Sequence, residues 1–159
     1  MFASHDSYAS INDAKQQREL GGLTIDPETG YEYMYVQFLD AITYAAGQSL
    51  TWAAVARTKV TNDRSGGSSI SLRPAGICLA VMTQNYFGYI LRRGVYTTVV
   101  TNADDDIAQG DALIIDDNED GQCDSVALAT TTVHTNEFGF ALDVDVDAAD
   151  TVPASINCR

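Results

Sequence analysis

From Gly94 to Cys158 the chain contains no lysine and no arginine, although it carries fourteen acidic residues there. Residues 1–93 are balanced, with eight acids and eight bases, and the formal charge of the whole is −13. Nucleic-acid binding needs cations that displace counterions from phosphates. Neither nucleic acid nor an anionic membrane surface is therefore expected as a partner. Cysteine is scarce: Cys78, Cys123 and Cys158 stand far apart, with no CxxC or Cys/His spacing, which excludes a zinc ligand set. The first twenty residues, MFASHDSYASINDAKQQREL, lack a basic stretch followed by an apolar one, and no apolar run approaches membrane-spanning length. Synthesis and folding in a reducing cytoplasm is the expectation. His5 and His134 are the only histidines; no GxSxG elbow, GxGxxG turn or phosphate loop occurs, and Gly66-Gly67 lacks the lysine and helix that would follow in one. An enzyme is not expected, and no cofactor is called for.

What the chain does have is the material of one β domain. Its 159 residues are 45% hydrophobic, with eight tyrosines. Tyr, Val, Ile and Thr favour half-buried strands. In YEYMYVQF, starting at Tyr31, Tyr33 and Tyr35 share a face with Tyr31, while Met34, Val36 and Phe38 point the other way. QSLTWAAVARTKVT reads as one long or two short strands, and Trp52 within it as core. NDRSGGS (62–68) reads as a loop rich in breakers, SISL as a strand, Pro74-Ala75-Gly76 as a turn and ICLAVMT as a buried strand. FGYILRR and VYTTVV follow as strands broken at Gly94, then NADDD as a loop and DALII, CDSVALAT, VHTNEFGFALDVD and SINC as further strands. About ten short strands with turn signals every eight to twelve residues predict an all-β fold, a single antiparallel sandwich or barrel over residues 31–159. Residues 1–30 read as an N-terminal arm with few apolar residues to anchor it, either a frayed terminus or a segment that orders on a neighbouring subunit. Within it, Ser10 to Leu20 has the pattern of a short helix ended by Gly21-Gly22.

The sharpest chemical motif is Asp116-Asp117-Asn118-Glu119-Asp120-Gly121, the first half of a calcium-loop pattern, with Asp124 at the ninth position. Asp116, Asn118 and Asp120 are the candidate metal ligands. The twelfth position, which needs a bidentate Glu, is Ala127, and strands rather than helices flank the motif. A solvated hairpin turn, with Gly121 at positive φ, accounts for it better. Asp104-Asp105-Asp106 reads as a solvated acidic loop. Asp143, Asp145 and Asp147 share one face of a strand, which is wet, meets a cation or a basic partner, or protects an edge. Arg92-Arg93 is the only adjacent basic pair. It is read either as one exposed arginine and one lying over the sheet edge, or as an anchor for a neighbour's carboxylates.

Five short pieces then fall in a familiar order: Gly47-Gln48-Ser49-Leu50-Thr51-Trp52; Pro74-Ala75-Gly76-Ile77-Cys78-Leu79-Ala80; Tyr86-Phe87-Gly88-Tyr89-Ile90-Leu91-Arg92-Arg93-Gly94; Ile107-Ala108-Gln109-Gly110-Asp111-Ala112-Leu113; and Phe138-Gly139-Phe140-Ala141-Leu142. Over roughly residues 30–158 the chain resembles the small β-rich capsid decoration, or cement, proteins of tailed bacteriophages. The acidic tail and the N-terminal arm have no counterpart in that pattern. The resemblance implies a structural protein without catalytic residues, on the outer surface of a virion. It would bind the major capsid protein, bridge neighbouring subunits and cluster as a homo-oligomer such as a trimer. The expected contact residues are Ile11 and Leu20 in the arm, with Tyr89, Arg92 and Arg93 on the domain. Removing residues 1–22 is expected to weaken shell binding and leave the fold intact. A receptor- or glycan-binding β module, such as a head fibre or tail accessory domain, is the alternative, favoured by exposed Tyr and Trp rings in a shallow groove.

Overall fold

The computed structural model describes residues 6–39, 43–53, 56–64, 73–102, 106–116, 118–127, 136–144 and 151–158. His5, His134, Gly66-Gly67, the SISL strand, Asp104, Asp105, Asp117, Asp145 and Asp147 lie outside the described residues.

The tyrosine alternation at the start of the domain builds the fold. Strand β2 (Glu32–Phe38) has two faces that are both largely buried, as its period of two dictates. It pairs antiparallel with the long strand β6 (Phe87–Val100) and parallel with β4 (Lys59–Thr61). β4 pairs with β3 (Ser49–Trp52), β3 with β5 (Pro74–Cys78), and β5 with β6. These five strands therefore form a closed barrel. Its lining is Val36, Phe38, Leu50, Trp52, Val60, Cys78 and Ile90, packed with Ala75, Tyr44 and Met82.

A second arc of strands continues from the same β6. β10 (Thr151–Asn157) pairs with the later part of β6, β9 (Glu137–Ala141) with β10, β7 (Ala112–Ile115) with β9, and β8 (Cys123–Val126) with β7. A bridge between Cys123 and Thr101, just past β6, brings the arc back to its start. Expected as two strands, β6 runs unbroken: the register shift opposite Glu32 and Tyr33 falls at Arg92, and Gly94, two residues on, adopts φ 143 within the strand. That conformation is open to glycine, and one strand thus serves both the barrel and the arc. The second core, between the barrel's outer face and this arc, contains Tyr33, Tyr35, Tyr89 and Leu91 from the barrel with Ile107, Leu113, Ile115, Phe138 and Ile156.

Three expectations change. Pro74-Ala75-Gly76 is the start of β5 rather than a turn; Pro74 stands at the strand's first position, beside a register shift opposite Thr51, where a missing N–H is tolerated. The last strand begins at Thr151 and takes in Pro153, which sits at the irregularity between Val152 and Ala154. The helix expected over Ser10–Leu20 is absent. Among the described residues only α1 (Asp6–Ala9) is helical, and Asp13 and Phe87 instead exchange backbone hydrogen bonds of 2.8 and 2.9 Å.

Candidate functional site

The N-terminal segment lies across its own domain. Tyr8 stacks on Tyr33 with ring centroids 4.0 Å apart and meets Tyr89 edge-on at 5.2 Å. The Tyr35 hydroxyl donates to Asp13 Oδ2 at 2.7 Å, and Arg18 Nη1 donates to the Tyr89 hydroxyl at 2.8 Å. After Gly21, at φ 77, β1 (Leu23–Ile25) adds to the edge of β2. Ile11 and Leu20, expected as contact residues, are partly buried against the second core. Tyr89 is buried in that core. Burial pushes the phenols of Tyr33 and Tyr35 up, the latter to about 12; beyond burial, the Asp26 charge acts on Tyr33 and the hydrogen bond to Asp13 on Tyr35.

The arginine pair divides. Arg92, only 9% exposed, points to the barrel side. Its guanidinium carbon lies 5.5 Å from the Trp52 ring centroid, and Nη2 donates to the Cys158 carbonyl at 2.7 Å. Burial lowers its pKa. Tyr89 and Arg92 are thus both largely buried within the chain itself. Arg93 projects outward with its side chain 64% exposed, and its Nη1 meets Glu32 Oε1 at 3.4 Å.

Arg93 stands at an open groove of about 440 Å³ lined by Thr29, Tyr31, Gly94, Val95, Ser155 and Asn157. The turn between β1 and β2 makes one wall. Asp26 Oδ1 accepts from the Glu28 and Thr29 amides at 2.8 and 3.4 Å, and Gly30 takes φ 71 to bring the chain round. The floor exists because residue 94 has no side chain: a Cβ there would meet the Tyr31 ring at 2.6 Å. The other wall is the outer face of β10. Ser155 pairs with Val95 on one side and Phe140 on the other. Val95 (37% exposed), Phe140 (39%) and Leu142 (42%) thus extend the groove into an apolar row.

The acidic motif behaves as a hairpin turn. Gly121 takes φ 74, between β7 and β8. Asp116 is buried; its Oδ1 accepts from the Asn118 amide at 2.7 Å and its Oδ2 from Asn102 Nδ2 at 3.1 Å. Asp120 Oδ1 accepts from the Arg64 amide at 2.7 Å. Among the described residues, no group of three or more His, Cys, Asp or Glu is arranged to hold a metal ion. The turn is instead tied to the barrel by Arg64, from the breaker-rich stretch NDRSGGS. Arg64, 4% exposed, donates from Nε to the Asp116 carbonyl at 3.2 Å, from Nη1 to Thr51 Oγ1 at 2.9 Å and from Nη2 to the Ser49 carbonyl at 3.0 Å. Burial drives its pKa down to about 10, opposed by Asp120 and Asp116. The available signal was Ser49 and Thr51: two hydroxyls on one face of an otherwise apolar strand need a buried polar partner.

Comparison with protein-family models and with curated protein sequences finds no match.

Proposed function

We propose that this chain is a structural, non-catalytic virion protein that binds the outer surface of a phage capsid and stabilises it by bridging neighbouring major capsid subunits. The observation that carries the reading is the outward face described above. A single exposed guanidinium and a row of apolar side chains sit together on a rigid double β framework whose overall charge is −13. Such a framework offers a modest contact surface, and repetition over a shell turns modest contacts into firm attachment through multivalency. The five sequence pieces that resemble capsid decoration proteins contribute to β3, β5, β6, β7 and β9, the strands that build this framework. The negative charge keeps free copies apart before assembly. Homo-oligomeric clustering on the shell belongs to the same proposal.

The test is co-sedimentation of the purified protein with undecorated, expanded capsids at low and moderate salt. Saturable binding at a fixed ratio to the shell protein is the expected result; absence of binding at both salt concentrations refutes the reading. One observation favours the alternative, a glycan-binding module: Tyr31 lines an open groove beside hydroxyls and an arginine. Trp52, the other ring such a site would use, is buried in the barrel. Retention on a glycan array by a protein that ignores capsids would establish the alternative.

A further inference from the structure

The groove at Arg93 and the apolar row beside it form one continuous surface. Val95 and Ser155 belong to both: they line the groove, and Ser155 stands between Val95 and Phe140 in the strand register. The polar end offers a guanidinium, the Thr29 and Ser155 side chains and the Asn157 amide. A guanidinium fork matches a carboxylate bidentately. Glu32 now meets Arg93 at only 3.4 Å, in a pair exposed to water on the arginine side. Exposed pairs of this kind are held weakly, so an incoming carboxylate can displace or share the contact. The apolar end suits an aliphatic or aromatic side chain, and the spacing of adjacent strands, about 5 Å, puts both ends within reach of one short loop.

We propose that this surface docks a protein loop bearing a carboxylate next to an apolar side chain, and, resting on the capsid reading above, that the loop belongs to the shell protein. A sugar would engage the groove alone and leave Val95, Phe140 and Leu142 without a role. Charge complementarity points the same way: no other lysine or arginine lies between Gly94 and Cys158, so Arg93 is the cation that this half of the chain presents at its border.

The experiment compares wild type, Arg93→Glu, Phe140→Ser and Arg73→Glu in capsid co-sedimentation, with thermal unfolding of each variant as the fold control. Arg73 is exposed and does not line the groove, so Arg73→Glu matches the charge change of Arg93→Glu at another place. The expected result is a loss of affinity of about tenfold or more for Arg93→Glu and for Phe140→Ser. Arg73→Glu should stay within about threefold of wild type. Wild-type binding that Arg93→Glu and Phe140→Ser leave unchanged overturns the docking surface while the capsid reading stands. Equal losses for Arg93→Glu and Arg73→Glu also overturn it, showing general repulsion only. Failure of the wild type to bind overturns both, and Arg93-dependent retention on uronic-acid glycans would then make the occupant a sugar.

Discussion

Two segments are fastened to the barrel, and they are fastened differently. The N-terminal segment lies over the tyrosine face through ring stacking and hydrogen bonds to phenol groups, with residues 14–19 exposed. The acidic turn between β7 and β8 is held by a buried guanidinium that satisfies backbone and hydroxyl groups on both sides. Serine 49 reinforces it: the Ser49 amide donates to the Gly121 carbonyl at 2.8 Å and the Ser49 hydroxyl to the Gln122 carbonyl at 2.7 Å. Water competes for the first attachment and is excluded from the second. A polar tie is worth more as its surroundings become drier, but leaving it half-made also costs more. The N-terminal segment, a strap over the barrel, should therefore open locally, and the acidic turn should open only with the barrel.

The strongest way to break this contrast is Arg64→Met. Removing the guanidinium leaves the Ser49 and Asp116 carbonyls and the Thr51 hydroxyl buried without it, at a cost of about 3 to 5 kcal/mol. Arg64→Lys keeps a charge but loses the planar fork, and should fall between. Urea unfolding measures both. A loss below about 1 kcal/mol for Arg64→Met would mean that the Ser49 bonds and the residue-64 amide on Asp120 suffice to fasten the turn.

Arg64 also marks where the sequence stops being readable. The all-β class follows from periodicity, because alternation in YEYMYVQF needs no knowledge of partners. The hairpin at Gly121 follows from turn chemistry. Arg64 stands in a run of breakers, and only the long-range meeting of β3 with the β7–β8 turn makes it internal. The same reason hid the burial of Tyr89 and Arg92: β6 has neighbours on both faces, and a single sequence does not reveal how many layers will cover a strand. A proline is disfavoured inside a strand, and the register irregularity that accommodates Pro153 is a property of the pairing with β6. The groove was the least accessible feature, since it is formed by the absence of a side chain at Gly94 and by a turn some sixty residues earlier in the chain.

On the strap side, Tyr8→Ala removes the stack on Tyr33 and the edge contact with Tyr89, at about 2 to 3 kcal/mol from lost burial and ring geometry. Deleting residues 1–22 therefore does more than trim a free arm, because it uncovers Tyr33, Tyr35 and Tyr89. Hydrogen exchange separates the two attachments. The amides of Asp13 and Phe87 that join strap to barrel should exchange faster than those of Leu91 and Ile77 in the shared strands. Equal protection would show that strap and barrel open as one unit.

The smallest effect is set by pH. Burial pushes the Cys78 and Cys158 thiols up to about 12, with Arg92 opposing it at Cys158. In the unfolded chain a thiol ionises near pH 8.5. The folded state then holds fewer ionised thiols than the unfolded one, so its stability is complete below that pH and falls as pH rises towards 12. Tyr33 and Tyr35, also raised, join as pH approaches 10 and beyond, where Arg64, lowered to about 10, acts in the opposite sense. Between pH 7.5 and 9.5 the thiols supply the larger part of the change. Urea unfolding under reducing conditions should show a loss of about 2 to 3 kcal/mol of stability between pH 7.5 and 9.5. The slope should flatten in Cys78→Ala and flatten further when Cys158 is also replaced. A wild-type profile already flat over that interval would mean that both thiols ionise in the folded state, and that water reaches the dry side of the barrel as readily as it reaches the strap.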